Sequence, residues 1–140
     1  GRLFTFSGKN ILKKSKYALS DFILSAVKNG LISVNGDPQT QRSYLHQDSM
    51  SEWILRATTA VPDSILQIGS NEAVTILQLA EYISQKTGAE VEFYKEPSGG
   101  DIYIPDNTDT RIKLGVEEGK NWKEAVLEMI AEARKIYNVG

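Results

Sequence analysis

A chain of 140 residues, 41% hydrophobic and 24% charged, has the length and composition of one compact domain with an ordinary apolar core, which excludes disordered and fibrous classes. Sixteen Lys and Arg against eighteen Asp and Glu leave a formal net charge of −2, without the basic excess of a general nucleic-acid binder. The absence of cysteine excludes disulfides and thiolate metal sites, and the single histidine, His46, cannot form an imidazole metal site alone.

The apolar stretch Leu3 to Phe6, closed by Ser7-Gly8, reads as a strand, and the lysine-rich segment from Lys9 to Lys16 reads as a loop. From Ala18 to Asn29, Leu19, Phe22, Ile23, Ala26 and Val27 recur at helical spacing, and Gly30 stands where a helix C-terminal glycine belongs. Leu31 to Val34 is a short strand, residues 35–38 a turn, and Ser43 to Leu45 a weak strand. Asp48 is a good N-cap for a helix carrying Met50, Trp53, Ile54 and Ala57 on one face.

Ile65 to Ile68 alternates as a strand ending at Gly69. Thr75 and Gln78 form a capping-box signature ahead of a helix with Ile76, Leu79, Ala80 and Ile83 on one stripe, which stops at Gly88. Val91 to Tyr94 alternates again, residues 97–100 are loop, and Ile102 to Ile104 is a short extended piece. Thr108 to Leu114 forms a short helix ended by Gly115. Asn121 and Glu124 cap a last helix whose stripe is Trp122, Val126, Met129, Ile130, Ala133 and Ile136. Helices alternate with short strands, an α/β pattern, and no internal boundary is expected within 1–140. The abrupt opening on a strand and the few short strands suggest a piece of something larger.

No apolar run approaches the ~20 residues of a membrane span and no signal-peptide pattern opens the chain, so a cytoplasmic protein without membrane partners is expected. No glycine-rich dinucleotide turn follows a strand, and no phosphate loop, nucleophile elbow or His-Glu-x-x-His pair occurs. Tyr82 and Lys86 have the Tyr-x-x-x-Lys spacing of a short-chain dehydrogenase catalytic pair. That spacing puts both on one helical face, where lysine can lower the tyrosine pKa. Without a cofactor turn earlier in the chain, the pair reads as part of an amphipathic helix surface.

Several stretches, in order, resemble the extended short-chain dehydrogenase/reductase family of NAD-dependent sugar-nucleotide epimerases and dehydratases. Arg2-Leu3-Phe4-Thr5-Phe6-Ser7-Gly8 is similar to the family's Arg-x-Phe-Asn-x-x-Gly strand, and Ile32 to Asp37 to its Pro-Ile-x-Val-x-Gly-Asp-Gly turn. Gln41 to Asp48 resembles the Gln-x-Arg-x-[Tyr/Phe]-[Ile/Val]-x-Val-x-Asp segment, and Leu66 to Asn71 the Tyr-Asn-[Ile/Val]-Gly-Ser stretch. Pro97 with Gly100-Asp101, Asp106 to Thr108, and Leu114-Gly115 are similar to the tail pattern Pro-Gly-Asp, Asp-x-[Ser/Thr]-Lys and Leu-Gly-Trp. Thr5, Pro38, Asp109 and Val116 depart from that pattern, and Arg42-Ser43-Tyr44-Leu45 looks closest to dehydratases of bacterial surface-polysaccharide synthesis.

The resemblance implies a small C-terminal substrate-binding lobe without the Rossmann cofactor domain, and NAD and the catalytic groups held elsewhere in the parent enzyme. It implies that Arg42 meets the diphosphate of a nucleotide sugar, a role suited to a planar guanidinium offering paired charge-assisted donors. It places Ser33, Val34 and Asn35 against the nucleobase, although an edge strand filling a small core explains them equally. It sets Asn71 near the diphosphate or ribose, where a turn role is also open, and Tyr17 at a substrate contact, where helix-entry packing is the alternative. The parent is expected to be a homodimer, and the chain alone inactive. Strands 3–6 and 65–68 are expected to pair with each other or with a second copy. The competing expectation is a free-standing α/β binding or interaction module without catalysis.

Overall fold

The computed structural model describes residues 2–13, 17–60 and 65–139; the sequence-predicted loop residues 14–16 lie outside them. Its largest buried cluster is built by three helices. These are α1 (Ala18–Asn29), α3 (Ile76–Thr87) and α5 (Trp122–Ile136); α1 and α3 pack on the parallel strands β3 (Leu31–Val34) and β8 (Glu90–Phe93), and α5 packs on α1 and α3. The stripes read from the sequence form this interface: Leu19, Ile23, Leu79, Ala80, Ile83, Val126, Met129 and Ala133 are fully buried. Burying each large aliphatic side chain contributes on the order of 1.5–3 kcal/mol, so the packed faces rather than helix propensity hold these elements.

The helix ends follow their sequence signals. Gly30, Gly88 and Gly115 each take the left-handed conformation after α1, α3 and the short α4 (Thr108–Leu114). Both capping boxes form, Thr75 with Gln78 and Asn121 with Glu124. The helix α2 (Gln47–Ala57) corrects one expectation. Its N-cap is His46, whose Nδ1 accepts the Asp48 N–H at 3.1 Å, so Asp48 sits inside the first turn. Glu128, 2.8 Å from Nε2, accepts the ring's other nitrogen as a donor and leaves Nδ1 free to cap.

The strands are shorter than expected. The segment read as one strand over 3–6 is an extended run that changes partner: β1 (Arg2–Leu3) pairs in parallel with β6 (Gln67–Ile68), and β2 (Phe6–Ser7) with β5 (Leu45–His46). Phe4 N–H donates to Ile68 O and Leu45 N–H to Thr5 O, which carries the chain across the switch. Thus the segments at 3–6 and 65–68 do pair with each other. Of the weak strand expected over 43–45 only Leu45 lies in one, β5; Ser43 and Tyr44 separate it from a further strand, β4 (Gln41–Arg42). A 3-10 turn at Lys9–Ile11 lies in the expected loop. The second buried cluster, Leu45, Trp53, Leu66, Ile68, Leu114 and Val116, seals α2 and α4 onto β5 and β6.

Candidate functional site

One cleft of about 570 Å³ opens beside the end of β3, between the start of α1, the turn at 35–40 and the run from Arg42 to Tyr44. Tyr17, Ser33, Val34, Asn35 and Arg42 all line it, so five of the six residues singled out in the sequence come together. Asn71 does not line the cleft. Its backbone N–H donates to Glu118 Oε2 at 3.0 Å, in a cluster where Glu118 also accepts Ser70 Oγ and Asn107 Nδ2.

Each wall has a local cause. Val34 is buried at the end of the β3–β8 ladder, while the less buried Ser33 and the exposed Asn35 border the opening. Tyr17 is the N-cap of α1 and its side chain makes no capping hydrogen bond; with Ala18 and Asp21 it brings the helix start, the positive end of the dipole, to the cleft. The start of α3 is different. Its Ile76 and Leu77 amides donate to Thr40 O and Pro38 O, and Gln78 N–H to Thr75 Oγ1, so they are used to hold the turn.

Arg42 sits on a braced strand. β4 pairs antiparallel with β7 (Val74–Thr75) on one side, and Gln41 bridges to Ile102 on the other, with Gln41 N–H donating to Asp101 O and Tyr103 N–H to Gln41 O. The guanidinium donates to Gln41 O at 2.8 Å and lies 5.9 Å from the Tyr103 ring centre, while Tyr103 stacks on Phe4 at 4.7 Å. Among the described residues lining the cleft, Arg42 is the one cation.

The acids at the cleft differ. Asp21 projects from the first turn of α1. Asp37 is held: Ser98 Oγ (2.6 Å), the Ser98 N–H (3.0 Å) and the Gly100 N–H (3.1 Å) donate to Oδ2, and the Gln39 N–H (2.8 Å) to Oδ1. The Ser98 hydroxyl first, then these backbone donors, keep the Asp37 carboxyl below its ordinary value despite its burial. A polar ligand entering the cleft therefore meets one cation, Arg42, two carboxylates, Asp21 and Asp37, the start of α1 and residues 33–36.

Sequence reasoning missed Tyr44, Thr40 and Ser25 as lining residues. The Arg-x-Tyr spacing at 42–44 was the available signal for Tyr44, since alternate residues of an extended run share a side. Tyr82 and Lys86 lie away from the cleft on α3, where Tyr82 packs edge-on against Trp122 at 5.2 Å and Lys86 sits 5.4 Å over the Tyr82 ring. Among the described residues no group of histidines and carboxylates is arranged to hold a metal, and no helix is long and apolar enough to cross a membrane.

No family model and no curated protein matches the sequence. Solved structures do match the fold. A UDP-glucose 4-epimerase of Thermotoga maritima with UDP-glucose is similar over 96% of this chain and 45% of its own, at TM-score 0.83 and 24% identity. A UDP-glucuronic acid 4-epimerase of Bacillus cereus in complex with UDP-glucuronic acid and NAD matches over 97% and 45%, at TM-score 0.80 and 18% identity. TunA, an NAD-dependent NDP-hexosamine 5,6-dehydratase of tunicamycin biosynthesis, matches over 94% and 43%, at TM-score 0.81 and 14% identity. The chain has the fold of the C-terminal portion of these NAD-dependent epimerases and dehydratases and spans less than half their length.

Proposed function

We propose that this chain, with the fold of the C-terminal portion of sugar-nucleotide epimerases and dehydratases, binds the nucleotide sugar for such an enzyme. The observation that carries the reading is the convergence of Arg42, the α1 N-terminus and the 33–35 strand on one cleft. A guanidinium and a helix start are complementary to a diphosphate, and a strand end with a buried valine is complementary to a base edge and face. The named neighbours act on UDP-sugars or an NDP-hexosamine, which supports a nucleoside-diphosphate sugar as the ligand class.

NAD and the proton-transferring groups belong, on this reading, to a cofactor domain outside residues 1–140, and the chain alone is inactive. The packing of Tyr82 against Trp122, away from the cleft, supports treating Tyr82 and Lys86 as surface structure. The edge at β1–β6 supports the same division of labour. Parallel strands are nearly always covered on both faces within larger sheets, yet Leu3 is 54% and Ile65 64% exposed. A cofactor sheet continuing there would cover them. A cytoplasmic homodimeric parent serving polysaccharide synthesis completes the proposal.

The test is calorimetry of the full-length protein with UDP-glucose and UDP-glucuronic acid, repeated for Arg42→Ala and Arg42→Lys. Loss of a charge-assisted paired contact is expected to cost about 1.5–3 kcal/mol, tenfold to a hundredfold in affinity. Lysine is expected to recover part of it, with NAD content unchanged. Equal affinity in all three proteins would return Arg42 to an ordinary surface role.

A further inference from the structure

Tyr44 buries its ring in the core while its hydroxyl keeps access to solvent. Its side chain is 4% exposed and packs in the main core with Phe22 and Ile76, yet its hydroxyl makes no hydrogen bond among the described residues. The side-chain atoms that are both buried and unpartnered among the described residues are Ser7 Oγ, Ser43 Oγ, Asn107 Oδ1 and Arg111 Nε; the Tyr44 hydroxyl differs from them in remaining open to a ligand. What exposure Tyr44 retains belongs to the cleft, which it lines two residues from Arg42, while the intervening Ser43 does not. We propose that the Tyr44 hydroxyl is a second donor to the diphosphate, acting beside Arg42; the proposal rests on the nucleotide-sugar reading above.

The chemistry suits the role. Burial pushes the phenol up to about 12, against a smaller lowering by the Arg42 charge, so the O–H stays protonated throughout the neutral range. A protonated phenol donates, and ionised phosphate oxygens only accept. The cleft would then meet the ligand's charge with one cationic donor and one neutral donor fixed by its packing in the core. A rigid ring loses little conformational freedom when the ligand binds, whereas the longer arginine side chain, held at Gln41 O through Nη1, has more freedom to lose.

The experiment is Tyr44→Phe in the full-length protein, which removes the hydroxyl and leaves the ring. Affinities for UDP-glucose, UDP and uridine are measured with the phosphorus NMR shifts of bound UDP and the thermal midpoint. The expected result is about tenfold weaker binding of UDP-glucose and UDP, a changed phosphorus shift, unchanged uridine binding and an undiminished thermal midpoint. Wild-type affinity for UDP-glucose and UDP in Tyr44→Phe would overturn the proposal and leave the nucleotide-sugar reading standing. A wild-type protein that binds none of UDP, dTDP, GDP and CDP would overturn both. Equal weakening for uridine would also overturn it, since that marks a ring-packing role.

Discussion

Ser98 binds Asp37 twice, donating to the same carboxylate oxygen from its hydroxyl at 2.6 Å and its backbone N–H at 3.0 Å across 61 residues of chain. Gly100 adds a third donor to that oxygen. The turn that forms one wall of the cleft is thereby latched to the 97–100 loop. Asp37→Asn keeps the shape but replaces one accepting oxygen with a donor amide. Hydrogen exchange is expected to quicken at the Ser98 and Gly100 amides while the α1 and α5 amides keep their protection. Unchanged exchange at both amides would contradict the latch.

Gly100 is required on two counts. Its φ is +64°, and a Cβ built there would lie 2.3 Å from the Thr40 backbone nitrogen. Its three nearest atoms, Thr40 N, Gln39 C and Thr40 Cα, are all backbone, so the backbone must move. Gly100→Ala is expected to lower unfolding free energy by about 1–3 kcal/mol. Gly36→Ala, where a Cβ meets nothing within 4 Å, is expected to change it by less than about 0.5 kcal/mol. Chemical denaturation of the two variants measures the contrast, and equal midpoints would refute it.

The acid limb of stability is expected to depend on Glu128. Burial raises its carboxyl, but hydrogen bonds from Lys120 and His46 outweigh that and leave it below its ordinary value of 4.5. Asp48 stands 3.7 Å from His46 Nδ1, and the charges of Asp48 and Glu124 both favour the protonated Lys120. A carboxyl depressed on folding contributes stability that is fully present above its unfolded value and lost as pH falls through its folded one. Wild type is therefore expected to exceed Glu128→Gln in stability at neutral pH, with the gap closing below about pH 4.5. Urea midpoints of both proteins between pH 3 and 7 check this; a gap constant with pH would exclude the ionised role.

Much of the architecture is legible because long amphipathic elements carry their own evidence. α1 and α3 begin and end where Gly30, Thr75 and Gly88 signal, and the stripe of α5 is buried as read. Two-residue strands have no periodicity to detect, so β4 and β7 escape notice and the 3–6 run reads as one strand instead of two pairings. The His46 cap is not legible either, because its tautomer depends on Glu128, which lies 82 residues away. Within the cleft, Arg42 and residues 33–35 could be named from local order, whereas Tyr44 becomes notable only once its hydroxyl is seen without a partner. Asn71 follows a strand end as the sequence suggests, but Glu118 fixes its backbone outside the cleft.

The central claim is that the cleft beside Arg42 receives a nucleotide sugar, and a crystal structure of the full-length protein soaked with UDP-glucose tests it most directly. The account predicts the diphosphate within hydrogen-bond distance of the Arg42 guanidinium and the base lying along Ser33–Asn35. A ligand bound elsewhere, with Arg42 still donating to Gln41 O, would contradict it.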